Sequence, residues 1–115
     1  MASAFISSAF CISYAPTDSS AKTITNPGRT FQITGISANN ETGGGISVTV
    51  TDGTNNITQG GAKTAGANAM TWLELDQNHC DIASTTENLV ITSNTDCKIT
   101  VYCVAKSGGQ SLTVS

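Results

Sequence analysis

Hydrophobic and polar residues alternate in short runs along this chain, and no segment keeps the helical period of about 3.6 residues. The longest regular run is "CKITVYCVA", residues 97 to 105. In an extended strand, alternate side chains point to opposite faces. One face of this run then carries Cys97, Ile99, Val101, Cys103 and Ala105, and the other carries Lys98, Thr100, Tyr102 and Val104. The first set is apolar or small, which predicts a strand with one side in a core.

Shorter runs of the same type are separated by clusters of Gly, Pro, Asn, Asp and Ser. They lie at residues 4–14, 22–25, 30–36, 45–53, 70–76, 80–84, 88–93 and 111–115. Residues 38–45, "ANNETGGG", and residues 58–69, "TQGGAKTAGANA", are predicted to be loops. This spacing predicts an all-β fold of about eight strands, an antiparallel β-sandwich for which we favour the jelly-roll order. Residues 1–115 form one domain in this interpretation, with residues 1–14 as an N-terminal arm or edge strand.

Composition narrows the classes of partner. Charged residues make up 11% of the chain and the formal net charge is -3, so no basic patch is available to neutralise a series of phosphates. We therefore expect no nucleic-acid partner. A signal peptide would require a basic residue near its start, but no Lys or Arg precedes Lys22. Serines interrupt every apolar run before it reaches the length needed to span a membrane. The expectation is a chain made in a cytoplasm, with no membrane partner.

Four cysteines raise the question of a disulfide or a metal site. Cys97 and Cys103 lie on one strand about 20 Å apart, beyond the reach of a disulfide. The close pairs of ligands that zinc requires are missing, since His79 and Cys80 point to opposite faces of a strand. We predict reduced thiols, because cytosolic disulfides are rare, with Cys97 and Cys103 as small core residues. A single cross-strand disulfide, for example from Cys80 to Cys97 or Cys103, remains an alternative.

Catalytic chemistry would have to use His79, the single histidine. Asp76 and Asp81 could orient it and Ser84 could be a nucleophile, but no nucleophile elbow surrounds that serine. The other carboxylates are scattered over different loops, and the "GGG" at 43–45 lacks the context of a phosphate-binding loop. We expect no enzyme activity, no metal and no cofactor.

Function should then depend on surfaces. Trp72 is predicted on the outward side of its strand, where it could stack on a sugar or anchor a subunit. The few aromatic residues of the chain favour burial of Trp72 between subunits or under a loop. Loop 58–69, rich in small residues, is a second candidate contact. The candidate interface residues are Phe5, Ile6, Phe10, Gln59, Lys63 and Trp72.

The segment "ANAMTWLELDQNHCDIASTTENLVITSNTDCKITVYCVAKS" and the run "FQITGI" resemble the small jelly-roll virion proteins of tailed bacteriophages. In those proteins a strand of the type "L-x-I-T-S-N" precedes a turn and a closing strand "x-I-T-V". The resemblance implies a capsid decoration (cement) protein, a homotrimer on the virion surface whose partner is the major capsid protein. Residues 1–14 and 59–69 would make the contacts.

Two other classes remain open. One is a trimeric tail-fibre or receptor-binding tip domain, and the other is a secreted carbohydrate-binding module.

Overall fold

The computed structural model describes residues 9–16, 18–26, 28, 30–93 and 97–105, and within these ranges the regular structure consists of strands. The strands are β1 (Ala9–Tyr14), β2 (Lys22–Ile24), β3 (Phe31–Asn40), β4 (Ile46–Thr51), β5 (Lys63–Ala65), β6 (Ala69–Trp72), β7 (Asp81–Ile82), β8 (Leu89–Thr92) and β9 (Cys97–Ala105). The prediction of an all-β chain is confirmed. The strands expected at residues 4–8 and 111–115 lie outside the described residues.

The strands form two antiparallel sheets. One has five strands, in the order β1-β9-β3-β6 with β7 also paired to β3, and the other has the order β2-β8-β4-β5. Their apolar faces share a single cluster of buried side chains, so the sheets pack as the predicted β-sandwich. The order is compatible with a jelly roll, in which two Greek keys are wound across two sheets.

The buried face of each strand follows the alternation in the sequence. Cys97, Ile99 and Val101 of β9 have no exposed surface, and Ile46, Val48 and Val50 of β4 face them from the opposite sheet. Burial of each aliphatic side chain stabilises the fold by about 1.5–3 kcal/mol. These residues therefore hold the two sheets together.

Strand β3 contains one irregularity that shifts its alternation. Ile33 is paired with Cys103 and Gly35 with Tyr102, so Thr34 is an extra residue in β3. Because of this bulge, Ile33 and Ile36 are both buried although they are three residues apart. Gly35 is left opposite Tyr102.

The same strand is longer than predicted. It continues through Asn40, so the expected loop at residues 38–45 is wrong for its first part. Asn40 is 1% exposed, and its Nδ2 donates to the carbonyl oxygens of Gly44 (2.8 Å) and Ala65 (3.1 Å). Its Oδ1 accepts hydrogen bonds from the backbone N–H and the hydroxyl of Thr42, at 2.9 and 2.8 Å. The amide can lie in the core because every polar atom has a partner.

The expected loop at residues 58–69 is also wrong in part. It contains β5, which pairs with β4, and Ala65 of this strand is fully buried opposite Ile46. Thr58 is buried as well, and its hydroxyl donates to the carbonyl oxygen of Gly61. Composition suggested that this segment was a loop. Its small side chains instead allow it to pack closely against β4.

We expect Asn40→Ala to lower the free energy of unfolding by about 2–4 kcal/mol, because several buried polar groups lose their partner together. Asn39→Ala is the control, since Asn39 is exposed on the same strand, and it should change stability by less than about 0.5 kcal/mol. Urea denaturation would measure both. Equal effects of the two substitutions would contradict the structural role given to Asn40.

Candidate contact surfaces

Trp72 lies on the outer face of the five-stranded sheet. Its strand, β6, pairs with β3 in a register that places Trp72 opposite Ser37. The next residue, Leu73, is buried, whereas Trp72 is 59% exposed. The predicted outward orientation of Trp72 is therefore confirmed.

The indole ring rests on the backbone at Gly35. A Cβ atom at position 35 would lie 3.3 Å from Cζ3 and 3.7 Å from Cε3 of Trp72, and 3.9 Å from Cδ1 of Tyr102. The Trp72 and Tyr102 rings have centroids 5.3 Å apart and are inclined at 42°. Only glycine lets the indole lie this close to the sheet without displacement. The aromatic pair depends on the bulge that brings Gly35 to this position.

Other exposed apolar side chains continue this surface. Met70 on the strand of Trp72 is 52% exposed, and Val104 on the strand of Tyr102 is 39% exposed. We call the surface formed by Gly35, Met70, Trp72, Tyr102 and Val104 the aromatic face. Outward positions of β3 and β9 carry hydroxyl and amide side chains. Gln32, Thr34 and Asn39 are exposed, Thr100 is partly buried, and Ser37, opposite Trp72, is only 6% exposed.

Lys98 on β9 of this sheet and Lys63 on β5 of the other sheet each form an ion pair. Lys98 Nζ lies 3.6 Å from Glu41 Oε1, and Lys63 Nζ lies 3.1 Å from Glu74 Oε1. Each pair is worth under about 1 kcal/mol, and the two charges within each pair cancel locally.

A second surface lies along β1, the outermost described strand of the same sheet. Phe10, Ile12 and Tyr14 point towards the core but are only half-buried, unlike the fully buried residues of the neighbouring β9. Phe10 contacts Phe31 edge to face, with ring centroids 5.4 Å apart. The five-stranded sheet therefore extends beyond the dense part of the core at β1.

An open depression of about 250 Å³ lies at the end of this strand. It is lined by Ser13, Tyr14, Ala15, Lys98, Ile99 and Thr100. The depression lies between the end of β1 and the beginning of β9. It could receive a side chain from a neighbouring molecule that contacts β1.

The structure does not bring the predicted interface residues together on one surface. Phe10 belongs to the β1 surface and Trp72 to the aromatic face, whereas Phe5 and Ile6 lie outside the described residues. Lys63 lies on β5, and Gln59 is an exposed residue whose backbone N–H donates to the Glu74 carbonyl oxygen at 2.8 Å.

Sequence reasoning missed Tyr102 and Gly35 as partners of Trp72, because it did not identify the strand order. A glycine inside a strand was the available signal, since it often marks a bulge or a close approach.

The residues considered for catalysis form a structured turn. His79 Nδ1 lies 3.1 Å from Asp76 Oδ2, and the backbone N–H of Asn78 donates to Asp76 Oδ1 at 3.0 Å. These two hydrogen bonds, led by the one from Asn78, lower the pKa of Asp76. The hydroxyl of Ser84 lies 3.0 Å from that of Thr86, in a separate turn. Asp76 orients His79, but this pair is not joined to a nucleophile at Ser84.

All four cysteines have free thiols. Cys103 pairs with Ile33 on one side, and the Cys80 carbonyl oxygen accepts a hydrogen bond from the Ile33 N–H on the other, at 2.8 Å. Cys80 and Cys103 are therefore two strand spacings apart, roughly 9–10 Å, which exceeds disulfide reach. Burial raises the pKa of Cys80 and Cys97, and raises that of Cys103 to about 12. Cys11, by contrast, is exposed.

Among the described residues, no group of three or more His, Cys, Asp or Glu side chains is arranged to hold a metal ion. The same part of the chain contains no helix with the length and hydrophobicity needed to cross a membrane.

Comparison of the chain with protein-family models, with curated proteins and with solved structures finds no match.

We expect one thiol, that of Cys11, to react rapidly with a thiol reagent in the folded protein, because only a thiolate reacts and the other three are buried. All four should react after denaturation without reductant. Mass spectrometry would count the labels and peptide mapping would locate them. Two or fewer labels in the denatured chain would reveal a disulfide, and rapid native labelling of Cys103 would contradict its burial.

Proposed function

We propose that this chain is a non-enzymatic structural protein of a virion, a decoration protein that binds the outside of a viral shell. The observation that carries the proposal is β1, the outermost of the described strands on its side of the sheet, whose core-facing Ile12 and Tyr14 are only half-buried. A partner that covers this strand would complete the burial of these side chains. Function then depends on contact between surfaces.

The character of β1 supports attachment through its backbone and its apolar side chains. Its sequence, "AFCISY", has no charged residue and no proline, the two features by which edge strands commonly avoid pairing. A strand from another chain can add to such an edge through main-chain hydrogen bonds. The depression lined by Ser13 and Tyr14 offers a place for one side chain of that partner.

The topology supports the same class of protein. The strand order is compatible with the jelly roll, an architecture found in viral capsid and lectin domains. We propose the homotrimer implied by the resemblance to phage virion proteins, because closed symmetry gives each copy the same contacts. The partner outside the trimer is the major capsid protein, and the place of action is the capsid surface.

The absence of catalysis is part of the proposal. It is supported by the turn at His79, which is paired with Asp76, while Ser84 is paired with Thr86. A shell protein requires no reaction, since binding to the assembled state alone raises the resistance of the shell to heat.

The test is rebinding to capsids that have been stripped of surface proteins, using the virus whose genome carries the coding sequence. Ser13→Lys places a charge at the β1 edge and in the depression, and should weaken rebinding by about tenfold or more. Ser47→Lys is the matched control, because Ser47 is exposed on the opposite sheet, and it should bind as the unmodified protein does. Native mass spectrometry should show a trimer.

Rebinding should depend only weakly on salt, because β1 carries no charge. If Ser13→Lys binds capsids as well as the unmodified protein does, β1 is not the attachment surface. If the protein does not bind capsids but binds isolated tails, it is instead a tail-fibre or receptor-binding tip domain.

A further inference from the structure

The aromatic face is a surface that attachment through β1 leaves uncovered. It presents a flat indole, exposed over most of its area and seated on the backbone of Gly35, with Tyr102 inclined beside it. An exposed tryptophan costs solubility and is normally buried. Trp72 is instead exposed while it contacts Gly35 and Tyr102, which makes it a candidate surface for a ligand.

The size of the face argues against a protein partner. A standard protein interface covers about 800 Å² on each side with roughly 20–30 residues, and its centre is a continuous apolar patch. In the described part of the chain, only Met70, Trp72 and Val104 are exposed large hydrophobic residues. Hydroxyl and amide side chains surround them closely. This area is small for a stable contact between two copies of the chain, but it matches a ligand that covers one indole ring.

The chemistry of the surroundings identifies the ligand class. The exposed outward side chains of β3, Gln32, Thr34 and Asn39, offer neutral donors and acceptors, and Lys98 on β9 is paired with Glu41. A neutral molecule with an apolar face and hydroxyl groups at its edge satisfies both parts of the surface. A pyranose ring has this form, because its C–H groups can lie on the electron-rich face of an aromatic ring while its hydroxyls make hydrogen bonds.

We propose that the aromatic face binds a neutral oligosaccharide, with one sugar ring stacked on Trp72 and hydroxyl groups bound by the polar side chains around it. The small number of aromatic residues in the sequence favours burial of Trp72 between subunits or under a loop. The structure favours a ligand contact instead, because Tyr102 lies beside Trp72 and 59% of Trp72 is exposed. A shell protein with this property would carry a glycan-binding surface to the outside of the particle.

The experiment is calorimetric titration of the full chain with neutral oligosaccharides of glucose, mannose and N-acetylglucosamine, and with heparin as an anionic comparison. At least one neutral series should bind. The chain has a single tryptophan, so a change of its fluorescence on binding would place the sugar at Trp72. Trp72→Ala should weaken binding by about tenfold or more, and Trp72→Phe should weaken it less.

Ser47→Ala, on the opposite sheet, should bind sugar as the unmodified protein does. The proposal is overturned if no neutral oligosaccharide binds at millimolar concentration, if heparin alone binds, or if Trp72→Ala keeps full affinity. Loss of an oligomer in Trp72→Ala would assign the face to a subunit contact instead. Capsid rebinding separates the two proposals, because Trp72→Ala should rebind normally and Ser13→Lys should keep its affinity for sugar.

Discussion

The antiparallel pairing of β3 with β9 is the interaction on which the rest of this structure depends. These are the two longest strands, and they lie at the centre of the five-stranded sheet, with β1 on one side and β6 and β7 on the other. Their inner side chains form one wall of the core. The one-residue bulge at Thr34 keeps both halves of β3 facing inward, at Ile33 and at Ile36. It also turns Gly35 outward, so one local shift in register serves both the core and the aromatic face.

Strands with clear alternation were predictable from the sequence, and β9 and β4 bury the residues expected of them. The errors fell where composition suggested a loop. Asn40 looked like a loop residue, yet its amide is buried because Gly44, Ala65 and Thr42 bind all its polar atoms. Such partners come from folding and leave no periodic trace in the sequence. Ala65 was missed for a related reason, since small residues give little contrast between buried and exposed positions.

For the candidate surfaces too, alternation predicted the direction of a side chain but not its contacts. The outward orientation of Trp72 followed from the alternation around Leu73. Its contact with Tyr102 did not, because the two residues are distant in the chain and meet only through the pairing of β3 with both β6 and β9. The half-burial of Ile12 and Tyr14 was equally hidden, since it depends on how far one sheet extends past the other. Alternation indicates which side of a strand is apolar, but not how completely that side is covered.

The pairing of β1 with β9 has a consequence for how the chain folds as it is made. Ala9 lies opposite Val104, and Tyr14 lies opposite Ile99, so the first described strand finds its partner in the last. The central strand β3 also pairs with β9 and cannot form this pairing until β9 has been synthesised. A ribosome must therefore release the chain through β9 before the larger sheet can assemble, and contacts between such distant residues form slowly. Until β9 emerges, the apolar strand "AFCISY" cannot pair with it and stays accessible to chaperones and to aggregation.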